Sequence, residues 1–411
     1  MSEHYDYIIA GAGAAGLSLV CNMIDGAFSE ARILLIDQDL KQSNDRTWCY
    51  WSDGRDDLQH LVCKTWSELF FLDDERLGGG TLGGLTYKMI RGIDFYEYAW
   101  SKVQASPNVT FRQERVRHFH QSKEKEATVV TDQGEYTGGY IFNSCILPKP
   151  DPKAHFLLQH FAGWWIETEK PTFNPESGYL MDFRTPQEGS TRFFYLLPID
   201  EHRALVEFTV FSPKRLRPEA YQGALKNYVE QLLGISHYTI TEHEKGAIPM
   251  TDQVMPNQMY PNVINIGTAG GAVKPTTGYA FTNIRKQTAQ ICAQLQAGQA
   301  PNSKLAVPAR FRFYDQLLLN ILQTRGRLGK GIFSSLFRHT PIETIFHFLA
   351  EETKLQQEAK IFLRLPVVTF LKAVWRVFGP AGKGRERKAE TAPKKQPVAW
   401  VIPVQDKLQT P

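Results

Sequence analysis

Six residues near the start of the chain, Gly11-Ala12-Gly13-Ala14-Ala15-Gly16, constrain its fold more than any other segment. They fit the pattern Gly-x-Gly-x-x-Gly between a short apolar run, Tyr7 to Ala10, and a stretch of helical character, Leu17 to Met23. Each glycine then has its own physical task. Gly11 makes the tight turn out of the strand, Gly13 lets a pyrophosphate approach the backbone, and Gly16 lets helix and strand pack closely, with the helix N-terminus facing the phosphates. Alone the pattern is weak. Here a second buried strand, Arg32 to Ile36, follows and ends at Asp37, 21 residues after Gly16, where a carboxylate can bind ribose hydroxyls. A βαβ unit with parallel strands covered by helices is expected, the bland alternative being a glycine-rich turn without a ligand.

At 411 residues the chain can bury a large core and has room for two or three domains. Residues 1–150 are expected to form the dinucleotide-binding part, although Gly78 to Gly84, with five glycines, reads as a loop or turn. From about Phe161 the texture becomes aromatic and β-branched: Gly163 to Thr168, Phe193 to Leu197 and Ala204 to Phe211, separated by Pro and Gly turns. Residues 151–260 are therefore read as an antiparallel substrate-side sheet. Residues 261–300 return to the first architecture, with a strand at Val263 to Ile266 and a helix from about Tyr279 to Gln296. Residues 301–378 are read as helical and 379–411 as a flexible basic tail.

Five cysteines form no CxxC pair and no metal-like spacing, so neither a zinc site nor a disulfide framework is expected. The N-terminus reads as neither signal nor transit peptide, and no run of about 18 uncharged apolar residues suggests a spanning helix. A cytoplasmic location is expected.

The segment Ile266-Gly267-Thr268-Ala269-Gly270-Gly271-Ala272-Val273-Lys274-Pro275-Thr276-Thr277-Gly278-Tyr279 places a strand end, a glycine turn, a proline and another glycine ahead of a helix. It resembles the second flavin contact of glutathione-reductase-type flavoproteins, which selects FAD over NAD and implicates Gly267, Thr268, Pro275 and Gly278. Many of those proteins carry Asp at the place of Thr268. The resemblance then narrows. Asn44-Asp45-Arg46-Thr47-Trp48-Cys49-Tyr50-Trp51, the Gly267 to Tyr279 block and Leu205-Val206-Glu207-Phe208-Thr209 together resemble three ordered motifs of bacterial and plant-type lycopene cyclases, over about residues 5 to 378. That resemblance implies a glutathione-reductase-type Rossmann FAD-binding α/β fold with an inserted antiparallel β layer and a helical C-terminal region. It further implies cyclisation of the ψ-ends of lycopene, or a related polyene, to β-ionone rings, with reduced FAD, NAD(P)H as reductant and no net electron transfer. A flavin monooxygenase or prenyl-group reductase on the same scaffold is the alternative. The choice between β and ε rings stays open.

The chemistry implied can be set against individual residues. Ring closure needs an acid kept protonated in a dry pocket, stabilisation of a tertiary cation, and exclusion of water. Glu207 shares one strand face with Leu205 and Thr209, with Phe211 beyond. A carboxyl in such a setting keeps its proton because desolvation disfavours the anion. A solvent-facing Glu on a half-exposed strand is the other reading of the residues, and the family motif favours the acid. Asp182 is a second carboxyl in an apolar setting, either a partner or paired internally with Arg184. Arg46 could reach the FAD pyrophosphate or adenosine, or pair with Asp45. Trp164, Trp165, Phe193, Phe194 and Tyr195 are candidates to line a polyene tunnel or are plain sheet core. His202 reads as a surface residue, and no base for the final proton loss is assigned.

The net charge of +4 is small, but residues 310–388 hold 15 Lys/Arg against 6 Asp/Glu. Ile361 to Phe378 is apolar with Arg364, Lys372 and Arg376 within one arc of a helix, the pattern of a helix lying in a membrane interface. Ile332, Phe333, Leu336, Phe337, Ile342, Ile345, Phe346 and Phe348 add apolar surface. Peripheral association with the inner face of a membrane, and no nucleic-acid partner, are expected; a core-packing helical cap is the alternative.

Overall fold

The computed structural model describes residues 3–54, 56–74, 77–121 and 126–379. Its first strands are Glu3–Ala10 (β1), Ile33–Asp37 (β2), Thr47–Ser52 (β3), Lys64–Trp66 (β4), Glu68–Leu72 (β5), Leu77–Thr81 (β6) and Thr86–Arg91 (β7). Val109–Gln113 (β8), Val116–Gln121 (β9), Ala127–Thr131 (β10) and Glu135–Asn143 (β11) follow. The second half adds Phe156–Thr168 (β12), Ser177–Asp182 (β13), Thr191–Pro198 (β14), Arg203–Ser212 (β15), Tyr238–Thr251 (β16), Gln258–Tyr260 (β17) and Val263–Asn265 (β18). The helices are Ala14–Ile24 (α1), Gly92–Ala105 (α2), Pro218–Asn227 (α3), Phe281–Gln296 (α4), Ala309–Arg325 (α5), Gly329–His339 (α6), Ile342–Leu349 (α7), Leu355–Phe362 (α8) and Val367–Phe378 (α9).

Three sheets organise the molecule. The first has the order β17-β18-β11-β1-β2-β8, with the β9–β10 hairpin joined to β11. The pairs β18–β11, β11–β1, β1–β2 and β2–β8 are parallel. Parallel strands are covered on both faces, which is why the C-terminal half of β1 and nearly all of β2 are buried apolar runs without alternation. The chain leaves this sheet after β11 and comes back at β18, beside β11.

The second sheet has the order β16-β12-β15-β14-β13-β5-β6. Its central strand β15 is buried on both faces. Leu205 and Phe211 pack with Phe333, Phe337 and Phe346 of the C-terminal helices. Ala204, Val206, Phe208 and Val210 pack with Tyr221 and Leu225 of α3. Truncating a buried ring here, Phe208 for example, is expected to cost about 3–5 kcal/mol. A small third sheet, β3-β7-β4, lies over the first of these faces, since its Tyr87 and Met89 share that core.

Several expectations need correction. The glycine-rich stretch at 78–84 is not simply a loop: residues 77–81 form β6 and pair antiparallel with β5. Residues 68–72 and 77–81 thereby belong to the large sheet, so the first 150 residues do not form one dinucleotide-binding unit. Strand β16 falls inside the expected antiparallel part, 151–260, although the residues there do not single out a strand. The segment 361–378 is not one helix. Pro366 has no N–H to give and restricts the residue before it, so α8 stops at Phe362 and α9 begins at Val367. Nor do its charges share one outward arc, because Arg376 turns inward and its Nε donates to Asn320 Oδ1 on α5 at 2.9 Å. The outward face of α9 is apolar instead: Val367, Val368, Leu371, Trp375 and Phe378 are all exposed. The flexible tail expected at 379–411 lies, from residue 380 on, outside the described residues.

Candidate active site

Two glycine segments distant in sequence meet at the start of α1. Gly11 leaves β1 with φ +108°, a conformation that strains any L side chain, and a Cβ there would stand 2.2 Å from Ser144 Oγ. A Cβ on Gly16 would fall 1.8 Å from the Gly11 carbonyl oxygen, so this residue sets how closely α1 packs on β1. Gly13 differs: nothing lies within 4 Å of where its Cβ would be. It caps α1 with no side-chain hydrogen bond, which leaves the helix N–H groups free on an open approach. Asp37 closes the loop, its Oδ2 accepting the Ala12 N–H at 2.6 Å and its Oδ1 the Asp39 N–H at 2.8 Å. From the other segment Gly267, with φ +60°, comes up against α1, where an added Cβ would be 2.7 Å from Ala15 Cβ. The uncapped helix end and the clear side of Gly13 fit a dinucleotide phosphate.

The second segment is held by side chains that sequence reasoning missed. Gln287 of α4 accepts the Gly267 N–H through Oε1 at 2.7 Å and donates from Nε2 to the Gly270 carbonyl at 3.2 Å. The Thr268 carbonyl accepts the Gly271 N–H within the same turn. Pro275 lies inside a tight turn in which the Gly278 N–H donates to the Lys274 carbonyl at 3.0 Å. Gly278 has φ +72° and abuts Gln159 of β12, whose Oε1 is buried without a hydrogen-bond partner and would meet a Cβ at 2.6 Å. Tyr279 continues from this turn into the space between the second and third sheets. Its hydroxyl is 3.1 Å from that of Tyr87, and its ring packs edge-on against Trp51 at 4.9 Å.

Beside these phenols stands a row of four residues across the large sheet. Tyr195 pairs with Glu207, Glu207 with Gly163, and Gly163 with Glu244. Paired residues on neighbouring antiparallel strands point to the same face. Glu207 and Glu244 therefore flank Gly163 on the face that meets the small sheet. Both are buried. Thr209 Oγ1 donates to Glu207 Oε1 at 2.7 Å, and Thr47 Oγ1 donates to Glu244 Oε2 at 2.6 Å. The two carboxyls are near enough for each to shift the other's proton affinity. Burial first, and the Glu244 charge second, push Glu207 well above the usual carboxylate range. Burial also raises Glu244, but Thr47, Glu207 and Arg46 each favour its anion. Burial therefore favours the protonated form of both carboxyls, and the neighbouring donors and the Arg46 charge oppose it more at Glu244 than at Glu207. Burial likewise keeps Tyr87, Tyr195 and Tyr279 protonated.

The profile of the lycopene cyclase protein family matches residues 6–374. The chain belongs to that family. Among its relatives is the lycopene beta-cyclase of Pantoea ananas, 26% identical over 295 residues, which are 68% of this chain and 72% of that protein. The lycopene beta-cyclase of a Paracoccus species is 25% identical over 311 residues, 71% and 74% of the two chains. A flavoprotein/dehydrogenase from Cytophaga hutchinsonii superposes with TM-score 0.60 at 13% identity, over 90% of this chain and 99% of that one. Aklavinone-11 hydroxylase, solved with FAD and aklavinone, gives 0.54 at 14% identity over 72% and 63%. At such identities the likeness is one of fold: α/β, with a Rossmann-like part and a helical C-terminal region.

The cyclase-family motifs thus converge in space. Asn44 Nδ2 donates to Glu242 at 3.0 Å, and Thr47 reaches Glu244. Arg46 donates to the carbonyls of Lys245 at 3.2 Å and Asp45 at 3.1 Å, while Asp45 Oδ1 accepts from Tyr96. The Arg46 guanidinium therefore rests beside β16 and is not paired with the Asp45 carboxylate. Asp182 is not beside Glu207. It is wholly buried, bound by Arg184 through both oxygens and by the Tyr228 hydroxyl at 2.8 Å, so the internal ion pair is the reading that holds. The five tunnel candidates divide between faces: Trp165, Phe193 and Tyr195 share the Glu207 face, Trp164 and Phe194 the opposite one. A cavity of about 440 Å³ on that opposite face, lined by Arg184, Phe194, Phe208 and Tyr228, shares no residue with the carboxyl pair. His202 is partly exposed beside its turn, its Nδ1 2.9 Å from the Thr168 carbonyl.

Proposed function

We propose that this chain is a lycopene beta-cyclase in which Glu207 delivers the proton that starts ring closure. The observation that carries this reading is a buried carboxyl on the sheet face of Leu205, Phe211, Tyr195 and Trp165, where burial favours its protonated form, in a family whose relatives are named for that reaction. The relatives' names supply the substrate class, and the residues have the chemistry it requires. A linear polyene end offers two alkenes and no polar handle. Glu207 protonates the outer alkene, the inner alkene closes on the resulting tertiary cation, and a proton is lost from the new ring. The aromatic faces of Trp51, Trp165 and Tyr195 favour the positive charge, and the dry surroundings keep water from trapping it.

Gly11, Gly13, Gly16 and Asp37 are the residues proposed to hold the dinucleotide half of FAD, and Gly267, Thr268, Pro275 and Gly278 to lie against its flavin half. Arg46 remains a candidate for a phosphate or adenosine only if its side chain leaves the Lys245 carbonyl. When bound in its reduced form, supplied by NAD(P)H, the flavin contributes electron density near the cation. The apolar outward face of α9, set in a basic segment, is proposed to rest on a membrane surface from which the hydrocarbon enters. Among the described residues no helix is long and apolar enough to cross a membrane.

Anaerobic incubation of the purified protein with lycopene and reduced FAD tests the reaction. The expected product has unchanged mass and a shifted polyene spectrum. A gain of oxygen or of two hydrogens would replace the cyclase reading with a monooxygenase or a reductase.

A further inference from the structure

Glu207 and Glu244 are two strands apart, separated by β12, yet each side chain comes close to the residue that lies between them. That residue explains how. A Cβ built on Gly163 would stand 2.9 Å from Glu244 Cγ, 3.2 Å from Leu205 Cδ1 and 3.5 Å from Glu207 Cβ. The space above Gly163 is filled by the Glu244 and Glu207 stems together with the end of Leu205. Any side chain at 163 would push them apart. We propose that Glu244 is the positioning residue for the Glu207 proton, and that Gly163 is the notch that lets the two carboxyls share it.

This inference rests on the cyclase reading of Glu207. In the first step the Glu207 O–H bond breaks and a C–H bond forms at one alkene carbon, leaving the charge on its tertiary neighbour. The π electrons of the second alkene then form the ring C–C bond, and the charge moves to a ring carbon. A C–H bond next to that carbon breaks, its electrons become the ring alkene, and its proton returns to the Glu207 carboxylate. No electrons are gained or lost. Between the first and last steps Glu207 and Glu244 are both anions, side by side in a dry site. Their repulsion makes Glu207 a strong base at the moment a base is needed. Glu244 remains the anion throughout, because Thr47 donates to it and the Arg46 charge is near. The buried indole N–H of Trp165 also lies beside it and favours its charge.

The groups facing this pair are few. Tyr195 approaches from β14, Tyr279 from the turn before α4, Cys49 from β3 and Tyr87 from β7. All are neutral near pH 7, and among the described residues Arg46 is a cation close enough to favour the Glu244 anion. After burial itself, the proton on Glu207 therefore answers to the charge on Glu244.

The test uses the full-length, flavin-loaded protein and two readouts. Infrared titration without substrate follows the protonated-carboxyl C=O band, which should persist above the range of exposed carboxyls and vanish in Glu207→Gln. In Glu244→Gln the band should titrate lower by at least about one pH unit. The alkaline limb of the cyclisation rate should move by the same amount, with kcat down about tenfold and KM unchanged. Gly163→Ala alters no ionisable group and should shift both readouts in the same direction. Glu244→Asp, which keeps the charge on a shorter stem, should fall between parent and Glu244→Gln; it also serves if the glycine variant does not fold. A band and a limb that stay in place in folded Glu244→Gln would overturn the proposal. If Glu207→Gln still cyclises lycopene at the parent rate, the cyclase reading of that residue fails, while the infrared shift still reports the pair. If Glu207→Gln is inactive and Glu244→Gln shifts nothing, only the shared proton fails.

Discussion

Lys274 and Asp315 form a buried ion pair, Nζ to Oδ2 3.1 Å, that joins the glycine turn after β18 to α5. Glu351, just past α7, completes it at 2.7 Å, and Thr276 donates to the same aspartate at 2.7 Å. The turn proposed to lie against the flavin is thus fastened to the C-terminal helices by charge rather than by apolar packing. Lys274→Met would leave the buried Asp315 carboxylate and the partly buried Glu351 carboxylate without their cation, a loss of about 3–5 kcal/mol. Urea unfolding is expected to show it as a lower midpoint at unchanged m-value, and the double variant with Asp315→Asn is expected to regain much of the loss. Equal midpoints for parent and Lys274→Met would mean the pair contributes nothing.

The three glycines of the first motif should separate folding from cofactor binding. Gly16→Ala forces a Cβ into the Gly11 carbonyl, so α1 must move off β1 and the protein should unfold several degrees lower. Gly13→Ala has clear space and an ordinary extended backbone, φ −83° and ψ −170°, so its melting should match the parent within about 0.5 kcal/mol. Flavin retention should nevertheless fall at least about tenfold, because the new methyl occupies the approach to the helix N-terminus. Bound-flavin absorbance after gel filtration, set beside a thermal melt, distinguishes the two; a Gly13→Ala protein with full flavin content would contradict the assignment.

Much of this architecture was legible in the residues because its signals are local. The first βαβ unit announces itself through Gly11 to Gly16 and Asp37, and the buried strands at Val263 and Ala204 through largely apolar runs. Long-range pairing left no such mark. Leu77 to Thr81 is mostly glycine, yet it becomes a strand because β5 offers it an edge to pair with. Strand β16 reads Tyr-Thr-Ile-Thr-Glu-His-Glu-Lys-Gly before Ala247, too polar to suggest a strand, because its outer half is partly exposed and its inward carboxyls pair with other side chains. Glu244 was hidden for that reason. Glu207 stood out only because an acid inside an apolar run is a visible anomaly. The one available hint of its partner was Gly163, a glycine inside a strand pattern, which marks a place where something approaches closely.

Burial of Glu207 has a consequence for stability as well as for activity. Its carboxyl is raised in the folded protein relative to its usual value of 4.5. A group shifted upward favours the fold most below its unfolded value, and that contribution is lost as pH rises through 4.5 toward the folded value. Glu207→Gln keeps the shape and removes the ionisation. It should therefore match the parent in denaturant near pH 4 and exceed it near pH 8, while losing about 10²–10⁴-fold in cyclisation rate. The parent's own rate should be level at neutral pH and fall on the alkaline side, as Glu207 ionises. A variant that is no more stable than the parent at pH 8 would argue that Glu207 is already ionised there and is not held as an acid.

The outward face of α9 separates membrane contact from core packing. Leu371 and Trp375 are 62% and 64% exposed, one turn apart, with Val367, Val368 and Phe378 beside them. Ala373, on the other side of the helix, is fully buried against α5 and α6, so α9 already has its share of core without that stripe. An exposed apolar stripe of this size on a helix is maintained against water only where something apolar covers it. Transferring two such side chains from water to the acyl boundary is worth roughly 1.5–3 kcal/mol each. Leu371→Glu with Trp375→Glu should consequently reduce partition onto anionic vesicles by about a hundredfold or more, with the thermal melt unchanged because neither side chain is in the core. Flotation at low and high salt separates the apolar from the electrostatic share, since the basic residues of the segment contribute mainly at low salt. If the double variant floats as the parent does, the stripe faces something other than a membrane, and the hydrocarbon enters by another route.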